Sequence, residues 1–369
     1  MSKLCLIYNF APKYREGIFR LIDEEYPCDW YFGKNDTDIK GLDLSILKNV
    51  KTLNGWKIPH TPFYYQSGVP SLLRLKEYQS FFMLGDLFCL STWWLLMLRK
   101  LFFPHKKVFF WTHGWYGKES QIRKFLKKRY FKAVDGVFLY GNYAKELMVK
   151  EGFDNDKLFV IHNSLDYDKQ ILIRRQLQAS EIYKNHFGNS LPNLIFIGRL
   201  TAVKRLDLLL DALLILNKKN KLFNLTLVGD GEEKNTLKER VKKLNLDDQV
   251  WFYGACYDEK ENAELIYNAD LCVSPGNVGL TAIHAMTFGC PVITHNNFPY
   301  QMPEFEAIKQ DVTGNFFDYN DADSIVLCIE RWFDRYSGDR ENVRQACCHE
   351  IDTQWNPRFQ MNVINEHLK

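Results

Sequence analysis

Two cationic residues follow the apolar run NLIFI in the second half of the chain. Gly198 and Arg199 come directly after this run, and Lys204 stands just before the leucine-rich stretch LDLLLDALLIL. Amides at the start of a helix and nearby cationic side chains together bind anions, and phosphate is the natural candidate. The spacing therefore predicts a phosphate site at Arg199 and Lys204, with solvated loop charges as the alternative.

Two further segments could contact a substrate. Asn277, Val278 and Gly279 lie in a glycine-bearing loop after DLCVSP, where their backbone amides would face a phosphate at the start of a short helix. His113 and Gly114 follow the apolar run VFFWT in the first half. A lone histidine is more often a hydrogen-bonded structural residue, so a substrate-contacting role and a structural role for His113 both remain open.

The candidates stand at the ends of apolar runs that alternate with segments of helical period. This alternation is typical of β-α-β units and predicts an α/β fold with parallel sheets, which bind ligands outside the carboxyl ends of their strands. The pattern restarts after residue 190. We therefore expect one doubly wound domain over residues 1–175 and a second over 176–354, followed by a helix within 355–369 that could pack back on the first domain.

The composition excludes several classes of protein. The chain has 369 residues, of which 46% are apolar and 15% aromatic, so it can bury a large core and is not disordered. The formal charge of +3 is too close to balance for a nucleic-acid-binding surface. Nine cysteines without metal-ligand spacing indicate a reduced compartment, and the N-terminus has the pattern of a strand rather than of a signal peptide. No run reaches the roughly 20 apolar residues of a membrane span, so we expect a cytoplasmic protein.

The serial order of the motifs resembles the two-domain GT-B glycosyltransferases, most closely family 4, the retaining group 1 enzymes that use nucleotide-sugars. The resemblance is carried by WTHG and FLYGNYAKELMVKEGF in the first half and by IGRLTAVKRLDLLLDA, LVGDGEEKNTLKERVKKL and GLTAIHAMTFGCPVI in the second. It implies two Rossmann-like domains facing a central cleft, the first binding the acceptor and the second the donor. The implied reaction, as in surface polysaccharide biosynthesis, moves a sugar from a UDP-sugar or GDP-sugar to a glycan or lipid-linked glycan acceptor. Retention of the anomeric configuration is implied, with no cofactor and no metal.

By this resemblance, Arg199 and Lys204 match the basic pair that contacts the donor diphosphate and stabilises the leaving group. His113 would contact the donor sugar or position the acceptor. The remaining expected donor-binding residues are Gly198, Asp230, Gly231, Tyr253, Gly254, Asn277, Val278, Gly279 and Leu280.

The chain departs from the family at two positions. Gly276 and His284 stand where the family usually has two glutamates, the first meeting the donor sugar and the second the ribose. A histidine can still make a ribose hydrogen bond, whereas Gly276 offers only backbone and space. Glu304 is our preferred replacement and Glu306 the less favoured one, although either could instead cap the following helix.

Several residues in the first half of the chain are candidates for contact with the acceptor. Lys13, Tyr14, Arg15 and Gly17 follow the first strand, and together with Gly114 we expect them to border the acceptor. The segment KESQIRKFLKKRYFK holds seven basic residues and one acid, with apolar residues at helical spacing. A basic amphipathic helix of this kind predicts peripheral contact with an anionic membrane or with a lipid-linked acceptor. Four residues that are near in sequence would add to this contact: Trp93, Trp94, Lys106 and Lys107. The alternative is that the helix only presents a solvated basic face.

The sequence does not indicate a metal site, and it leaves two alternative functions open. Asp-x-Asp triplets occur at 36–38, 166–168 and 321–323, but none follows a convincing strand, so we assign no metal. A nucleotide-sugar 2-epimerase would use the same architecture, although it needs acid and base groups around the sugar. A non-catalytic nucleotide-sugar-binding protein is the other alternative, and Gly276 and His284 favour it.

Overall fold

The computed structural model of the protein describes residues 3–36, 39–336 and 338–368. The chain forms two compact units: unit 1 comprises residues 1–166 and 357–369, and unit 2 is Tyr167–Asn356. The division falls after Asp166 rather than after residue 175, because the helix Tyr167–Arg174 packs on helices of unit 2. Thr37 and Asp38 of the first Asp-x-Asp triplet lie outside the described residues.

Unit 1 is built on a parallel sheet, as the alternating pattern predicts. Its described strands are β1 (Lys3–Tyr8), β2 (Cys28–Phe32), β3 (Val50–Thr52), β4 (Gly55–Lys57), β5 (Tyr64–Gln66), β6 (Tyr78–Leu84), β7 (Lys107–Thr112), β8 (Gly136–Leu139) and β9 (Leu158–Val160). Seven of them form the sheet in the order β3-β2-β1-β6-β7-β8-β9, and β4 pairs with β5 in a small antiparallel ribbon.

Helices cover both faces of this sheet, which accounts for the mainly apolar sequences of its inner strands. The helices are α1 (Glu16–Glu25), α2 (Leu90–Phe102), α3 (Gln121–Phe131), α4 (Asn142–Lys150) and α13 (Pro357–His367). Helix α1 buries Ile18, Phe19 and Ile22, whose spacing places them on one side of the helix. None of the helices in the described residues has the length and apolar character that a bilayer span requires.

Helix α13 packs against α1 although the two are far apart in sequence. The fully buried side chain of Gln360 accepts a hydrogen bond from Ser164 Oγ (2.6 Å) and donates one to the carbonyl oxygen of His162 (2.9 Å). Tyr26 also donates to Asn365 Oδ1 (2.6 Å). These bonds attach the end of the chain to unit 1.

Unit 2 repeats the architecture with a six-stranded parallel sheet in the order β12-β11-β10-β13-β14-β15. Its strands are β10 (Asn193–Ile197), β11 (Asn224–Val228), β12 (Val250–Gly254), β13 (Leu271–Ser274), β14 (Val292–His295) and β15 (Gly314–Phe317). Its helices are α5 (Tyr167–Arg174), α6 (Ile182–Phe187), α7 (Leu206–Lys218), α8 (Lys234–Lys243), α9 (Glu259–Asn268), α10 (Leu280–Thr287), α11 (Ala322–Tyr336) and α12 (Arg340–Gln354).

The direction of winding in unit 2 reverses between β10 and β13, which are neighbours in the sheet. Consecutive strands run outward from β10 on one side and from β13 on the other. The loops that follow these two strands therefore diverge and leave a crevice at the carboxyl edge, which is where open α/β sheets bind ligands. Both predicted phosphate-binding segments belong to these two loops.

Replacing Gln360 with Leu should destabilise unit 1, because it leaves the buried carbonyl of His162 and the hydroxyl of Ser164 without their partner. We expect a loss of about 1–3 kcal/mol in the free energy of unfolding. Urea unfolding followed by tryptophan fluorescence measures it. The exposed Asn362 on the same helix is the matched control, and Asn362→Leu should change this free energy by less than about 0.5 kcal/mol. Equal effects of the two substitutions would contradict the role of Gln360.

Candidate functional site

The loops after β10 and β13 meet through their backbones. Ala202–Lys204 forms a short 3-10 turn, and the amide of Gly276 donates to the carbonyl oxygen of Lys204 (2.9 Å). A Cβ atom at position 276 would collide with the carbonyl oxygen of Val203 and the Cα of Lys204. Only glycine therefore fits here, and this close approach explains why position 276 carries no carboxylate.

Lys204 crosses from the first loop to the second. Its ammonium donates to the backbone carbonyl oxygen of Asn277 (2.6 Å) and to Oδ1 of the same residue (2.9 Å). Burial lowers the pKa of Lys204 to about 8, the charge of Glu304 opposes this shift, and the charge of Arg199 adds to it. The group is therefore still mainly protonated at neutral pH and is held within the site at a cost in solvation.

Arg199 and Glu304 lie within electrostatic reach of Lys204. The Arg199 side chain is exposed and forms no hydrogen bond or ion pair with any described residue. Glu304 is buried in the 3-10 segment Pro303–Ala307, whereas Glu306 of the same segment is half-buried. The structure thus places the preferred of the two candidate carboxylates beside the basic pair.

The start of α10 differs from the expectation at one residue. Gly279 precedes α10 with a positive φ of 54°, and Leu280 is the first residue of the helix. The amide of Val278 donates to Oε1 of the buried Gln301 (2.9 Å), whose own amide donates to Thr294 and to the carbonyl oxygen of His295. The prediction that the Val278 amide faces a phosphate is therefore wrong, because Gln301 already uses it to fix the loop.

The loops after β11 and β12 adjoin the same edge. The amide of Gly198 donates to Val228, that of Leu200 to Asp230 (both 2.9 Å), and that of Gly229 to Gly254 (2.8 Å). Asp230 accepts from Lys234 Nζ (2.7 Å) and from the amide of Gly231 (2.8 Å), and these bonds lower its pKa. Four of the predicted donor-binding residues are thus brought together: Gly198, Asp230, Gly231 and Gly254.

The predicted ribose ligand, His284, has a partner that the sequence did not suggest. Its Nε2 lies 3.0 Å from Glu259 Oε1, and Gln170 donates to the same oxygen (2.7 Å). Burial alone would raise the pKa of Glu259, but the interactions with His284, Gln170 and Lys169 together outweigh burial and lower it. A ribose hydroxyl could meet only the other ring nitrogen of His284 while this bond persists.

Helix α9 also supplies the partner of Tyr253, whose hydroxyl donates to Glu261 Oε2 (3.1 Å). Burial and the nearby Glu261 charge raise the pKa of Tyr253 to about 12. The sequence DEKE indicates only that a helix begins here, since Asp258 caps α9 by accepting from the amide of Lys260. It does not indicate the partners of Glu259 and Glu261. Over the described ranges 3–36, 39–336 and 338–368, no group of three His, Cys, Asp or Glu residues could hold a metal ion.

Unit 1 contains a cavity of about 440 Å³ at the carboxyl ends of β1, β6 and β7. Four of the predicted first-domain residues line it: Tyr14, Arg15, His113 and Gly114. The ring of His113 lies 4.7 Å from that of Tyr140 between centroids. Burial, together with the charges of Arg15 and Lys127, lowers the pKa of His113 to about 4, so its imidazole is neutral at pH 7.

Two predicted acceptor residues do not line this cavity. Lys13 is on the surface, where it pairs with Glu16. Gly17 packs against Pro357 at the start of α13, and a Cβ atom there would lie 3.0 Å from Cγ of the proline. Its small size therefore serves packing within unit 1.

The basic segment forms helix α3, but part of its charge is neutralised within unit 1. Lys124 and Lys128 pair with Glu151 at 2.8 and 2.7 Å, and Lys127 pairs with Glu119 at 2.7 Å. Lys106, which the sequence placed near a lipid, is buried instead and donates to the carbonyl oxygens of Leu75 and Tyr78 at 2.6 and 2.7 Å. Its solvation is replaced by these two bonds, so Lys106 belongs to the core.

Residues 180–347 match the family described as Glycosyl transferases group 1. An uncharacterized 41.2 kDa protein in the cps region of Klebsiella pneumoniae is 24% identical over 341 residues, which cover 91% of this chain and 84% of the relative. The mannosylfructose-phosphate synthase of Agrobacterium fabrum is 31% identical over 166 residues, 42% of this chain and 33% of the relative.

The fold of the whole chain also has a counterpart among solved structures. The structure of Anabaena Alr3699/HepE in complex with UDP superposes with a TM-score of 0.74 at 15% identity, covering 100% of this chain and 99% of that one. This likeness confirms the GT-B fold, and the family match confirms the expected glycosyltransferase class.

Introducing a methyl group at Gly276 should push the two loops of unit 2 apart. We expect Gly276→Ala to lower the free energy of unfolding by about 1–3 kcal/mol, the usual cost of overpacking a close contact. Thermal unfolding measures the loss. Gly338 has open space around its Cα and an ordinary φ, so Gly338→Ala is the control and should change the melting temperature little. A Gly276→Ala protein as stable as the control would show that the loops do not meet as described.

Proposed function

We propose that this glycosyltransferase, which belongs to group 1 over residues 180–347, transfers a sugar from a UDP-sugar to a glycan or lipid-linked glycan acceptor with retention of configuration. One observation carries the proposal. The half-buried ammonium of Lys204 and the exposed guanidinium of Arg199, which has no partner among the described residues, stand together at the point where the winding of the sheet reverses. Two cations in such a place suit a diphosphate.

The pair would act mainly when the sugar leaves. Cleavage of the bond between the anomeric carbon and the phosphate oxygen puts a further negative charge on the nucleoside diphosphate. Cations that are already in place stabilise this charge without reorganising. Lys204 is held by Asn277, so its ammonium needs little movement to meet a phosphate oxygen.

We propose that the acceptor oxygen attacks on the face that the diphosphate leaves. The bond from the anomeric carbon to the phosphate oxygen breaks, the bond to the acceptor oxygen forms, and the hydroxyl proton passes to the departing phosphate. Such a reaction needs no protein carboxylate as the base, which agrees with glycine at position 276. Glu304, beside Lys204, is the carboxylate that we assign to the sugar hydroxyls of the donor.

The choice of UDP rests on similarity alone. The Anabaena protein of the same fold was solved with UDP, and the Klebsiella relative lies in a cps region. We therefore place the reaction in surface polysaccharide biosynthesis in the cytoplasm and take UDP as the first nucleotide to test. GDP is the nucleotide with which the binding of UDP is compared.

Lys204→Met should weaken UDP binding at least about tenfold, since one charge-assisted hydrogen bond is lost. In the unaltered protein, UDP affinity should fall about tenfold between pH 7.5 and pH 9, because a lysine with a pKa of about 8 loses its proton over this interval. Calorimetry with UDP and with GDP at both pH values measures these changes.

Lys218 is an exposed lysine on α7, and Lys218→Met provides the control, with wild-type affinity and pH dependence. Incubation with a panel of UDP-sugars and no acceptor separates a transferase from an epimerase, since only an epimerase converts the donor alone. UDP binding that is equal in Lys204→Met and wild type would contradict the assigned role of Lys204.

We further propose that unit 1 rests on an anionic membrane through α2 and α3. The rings of Trp93 on α2 and Tyr130 on α3 are in contact, with their centroids 4.8 Å apart. Large apolar side chains are exposed on both, with Phe102 exposed by 66% and Ile122 by 75%. The full set, which we name the apolar face, is Trp94, Met97, Leu101, Phe102, Ile122, Phe125 and Leu126.

Basic side chains flank the apolar face. Arg123 and Arg129 on α3 and Lys100 on α2 are exposed, and the Arg129 guanidinium lies 5.1 Å from the ring of Phe125. Apolar groups that enter the interface and cations that meet lipid phosphates are the two attractions that hold an interfacial helix. Arg123 also lines the cavity of unit 1, so the apolar face adjoins the place where we expect the acceptor.

The double variant Ile122→Glu with Phe125→Glu should abolish binding to phosphatidylglycerol vesicles in a sedimentation assay. The unaltered protein should bind these vesicles and should bind phosphatidylcholine vesicles much less. Leu172→Glu, at an exposed leucine of unit 2, is the control and should sediment with phosphatidylglycerol as the unaltered protein does. Equal binding to the two lipids, or full binding by the double variant, would refute the proposed membrane contact.

A further inference from the structure

The cavity of unit 1 contains a buried cation that forms no ion pair with a carboxylate of the described residues. Arg15 is only 7% exposed, and its Nη1 atom is buried without a hydrogen-bond partner among the residues that the structure describes. A buried guanidinium without a counter-charge is costly, so its presence indicates that something outside the protein completes the site.

Aromatic rings enclose the Arg15 guanidinium, and the hydroxyl of one of them, Tyr8, lies within its electrostatic reach. Its central carbon lies 4.6 Å from the ring centroid of Trp111, 5.4 Å from those of Tyr8 and Tyr140, and 5.9 Å from that of Phe19. The free energy that a cation gains from ring faces is smaller than the hydration free energy that it loses on burial. The rings do hold the guanidinium in one position and exclude water from one side of it.

Three more polar atoms of residues that line the cavity lack partners. His113 Nδ1 and the hydroxyls of Tyr8 and Tyr140 are buried and make no hydrogen bond with the described residues. The neutral His113 can donate or accept there, and each tyrosine hydroxyl can donate. With Arg15, four unpaired groups therefore line one space of about 440 Å³.

The carboxylates in the cavity wall are already satisfied. Glu119 accepts from Lys127 Nζ and from the amides of Tyr116 and Gly117, at 2.7, 2.9 and 2.9 Å. Asp86 accepts from the hydroxyl of Tyr64 (2.9 Å) and from the amide of Phe88 (3.0 Å). The wall holds four cationic side chains against these two acids: Arg15, Lys118, Arg123 and Lys127. The surplus of positive charge favours a negatively charged ligand.

We infer that the acceptor carries an anionic group, a phosphate or a carboxylate, which Arg15 binds in this cavity while His113 and Tyr140 bond its neighbouring oxygens. The inference rests on the proposed function, since it names the substrate class of the acceptor site. The group would be the phosphate of a lipid carrier or the carboxylate of an acidic sugar. A phosphate and a carboxylate each offer at least two oxygens, which can accept two parallel N–H bonds from one guanidinium.

Calorimetry with matched probes tests the inference and separates the two sources. Geranyl diphosphate is compared with geraniol, and methyl glucuronide with methyl glucoside. At least one anionic probe should bind the unaltered protein, and its neutral counterpart should bind at least about tenfold more weakly. Arg15→Met should reduce the affinity for that anionic probe at least about tenfold and leave the affinity for UDP unchanged. The control is Arg20→Met, at an exposed arginine of α1, which should bind the anionic probe as the unaltered protein does.

A purely structural arginine would behave differently. Because Arg15→Met removes an unbalanced buried charge, the variant should melt no lower than the unaltered protein without ligand. Tyr140→Phe, which deletes only a hydroxyl, should also weaken binding of the anionic probe if Arg15→Met fails to fold. Failure of both anionic probes to bind, or binding that neither substitution changes, would overturn the inference. Failure of UDP to bind would count against the proposed function instead.

Discussion

The close approach of Gly276 to the turn at Val203 and Lys204 is the constraint on which the site in unit 2 depends. It brings together the loops after β10 and β13, two strands that are adjacent in the sheet and distant in sequence. The contact allows the Lys204 ammonium to reach the carbonyl oxygen of Asn277. The half-buried ammonium of Lys204 and the start of α10 are therefore parts of one arrangement, and a side chain at position 276 would separate them.

This constraint also accounts for the departure from the family at position 276. A glutamate there would have to displace the backbone of Val203, so its absence follows from the packing of the turn. The nearby negative charge comes instead from Glu304, which is buried in a separate 3-10 segment. The donor site would thus have a carboxylate near its cations that comes from a different segment of the chain.

Much of the fold could be predicted from the sequence, because apolar strands and helical periods alternate clearly in both halves. The position of Arg199 and Lys204 at the carboxyl edge followed from the same pattern. Contacts between distant segments could not be predicted, since no local pattern indicates that Glu259 meets His284 or that Gln301 uses the amide of Val278. The burial of Lys106 was missed for the same reason, and the ion pairs of α3 depend on Glu119 and on Glu151, which directly follows α4.

The two units present cations in contrasting settings. Lys204 in unit 2 has protein acceptors and a lowered pKa, whereas Arg15 in unit 1 has aromatic neighbours and an unpaired Nη1. A nucleoside diphosphate in unit 2 and an anionic acceptor in unit 1 would satisfy both. The shared principle is that a positive charge taken out of water needs a partner, and here the substrates would provide what the protein leaves incomplete.

The most direct test of the central claim is amide hydrogen exchange with and without saturating UDP. The account predicts slower exchange in peptides that cover 198–205 and 276–282, because the nucleotide diphosphate would bind across these two loops. Peptides over 180–192, which precede β10, should exchange at the same rate in both conditions. Unchanged exchange in both loops at a concentration where UDP binds, or protection confined to other peptides, would contradict the account.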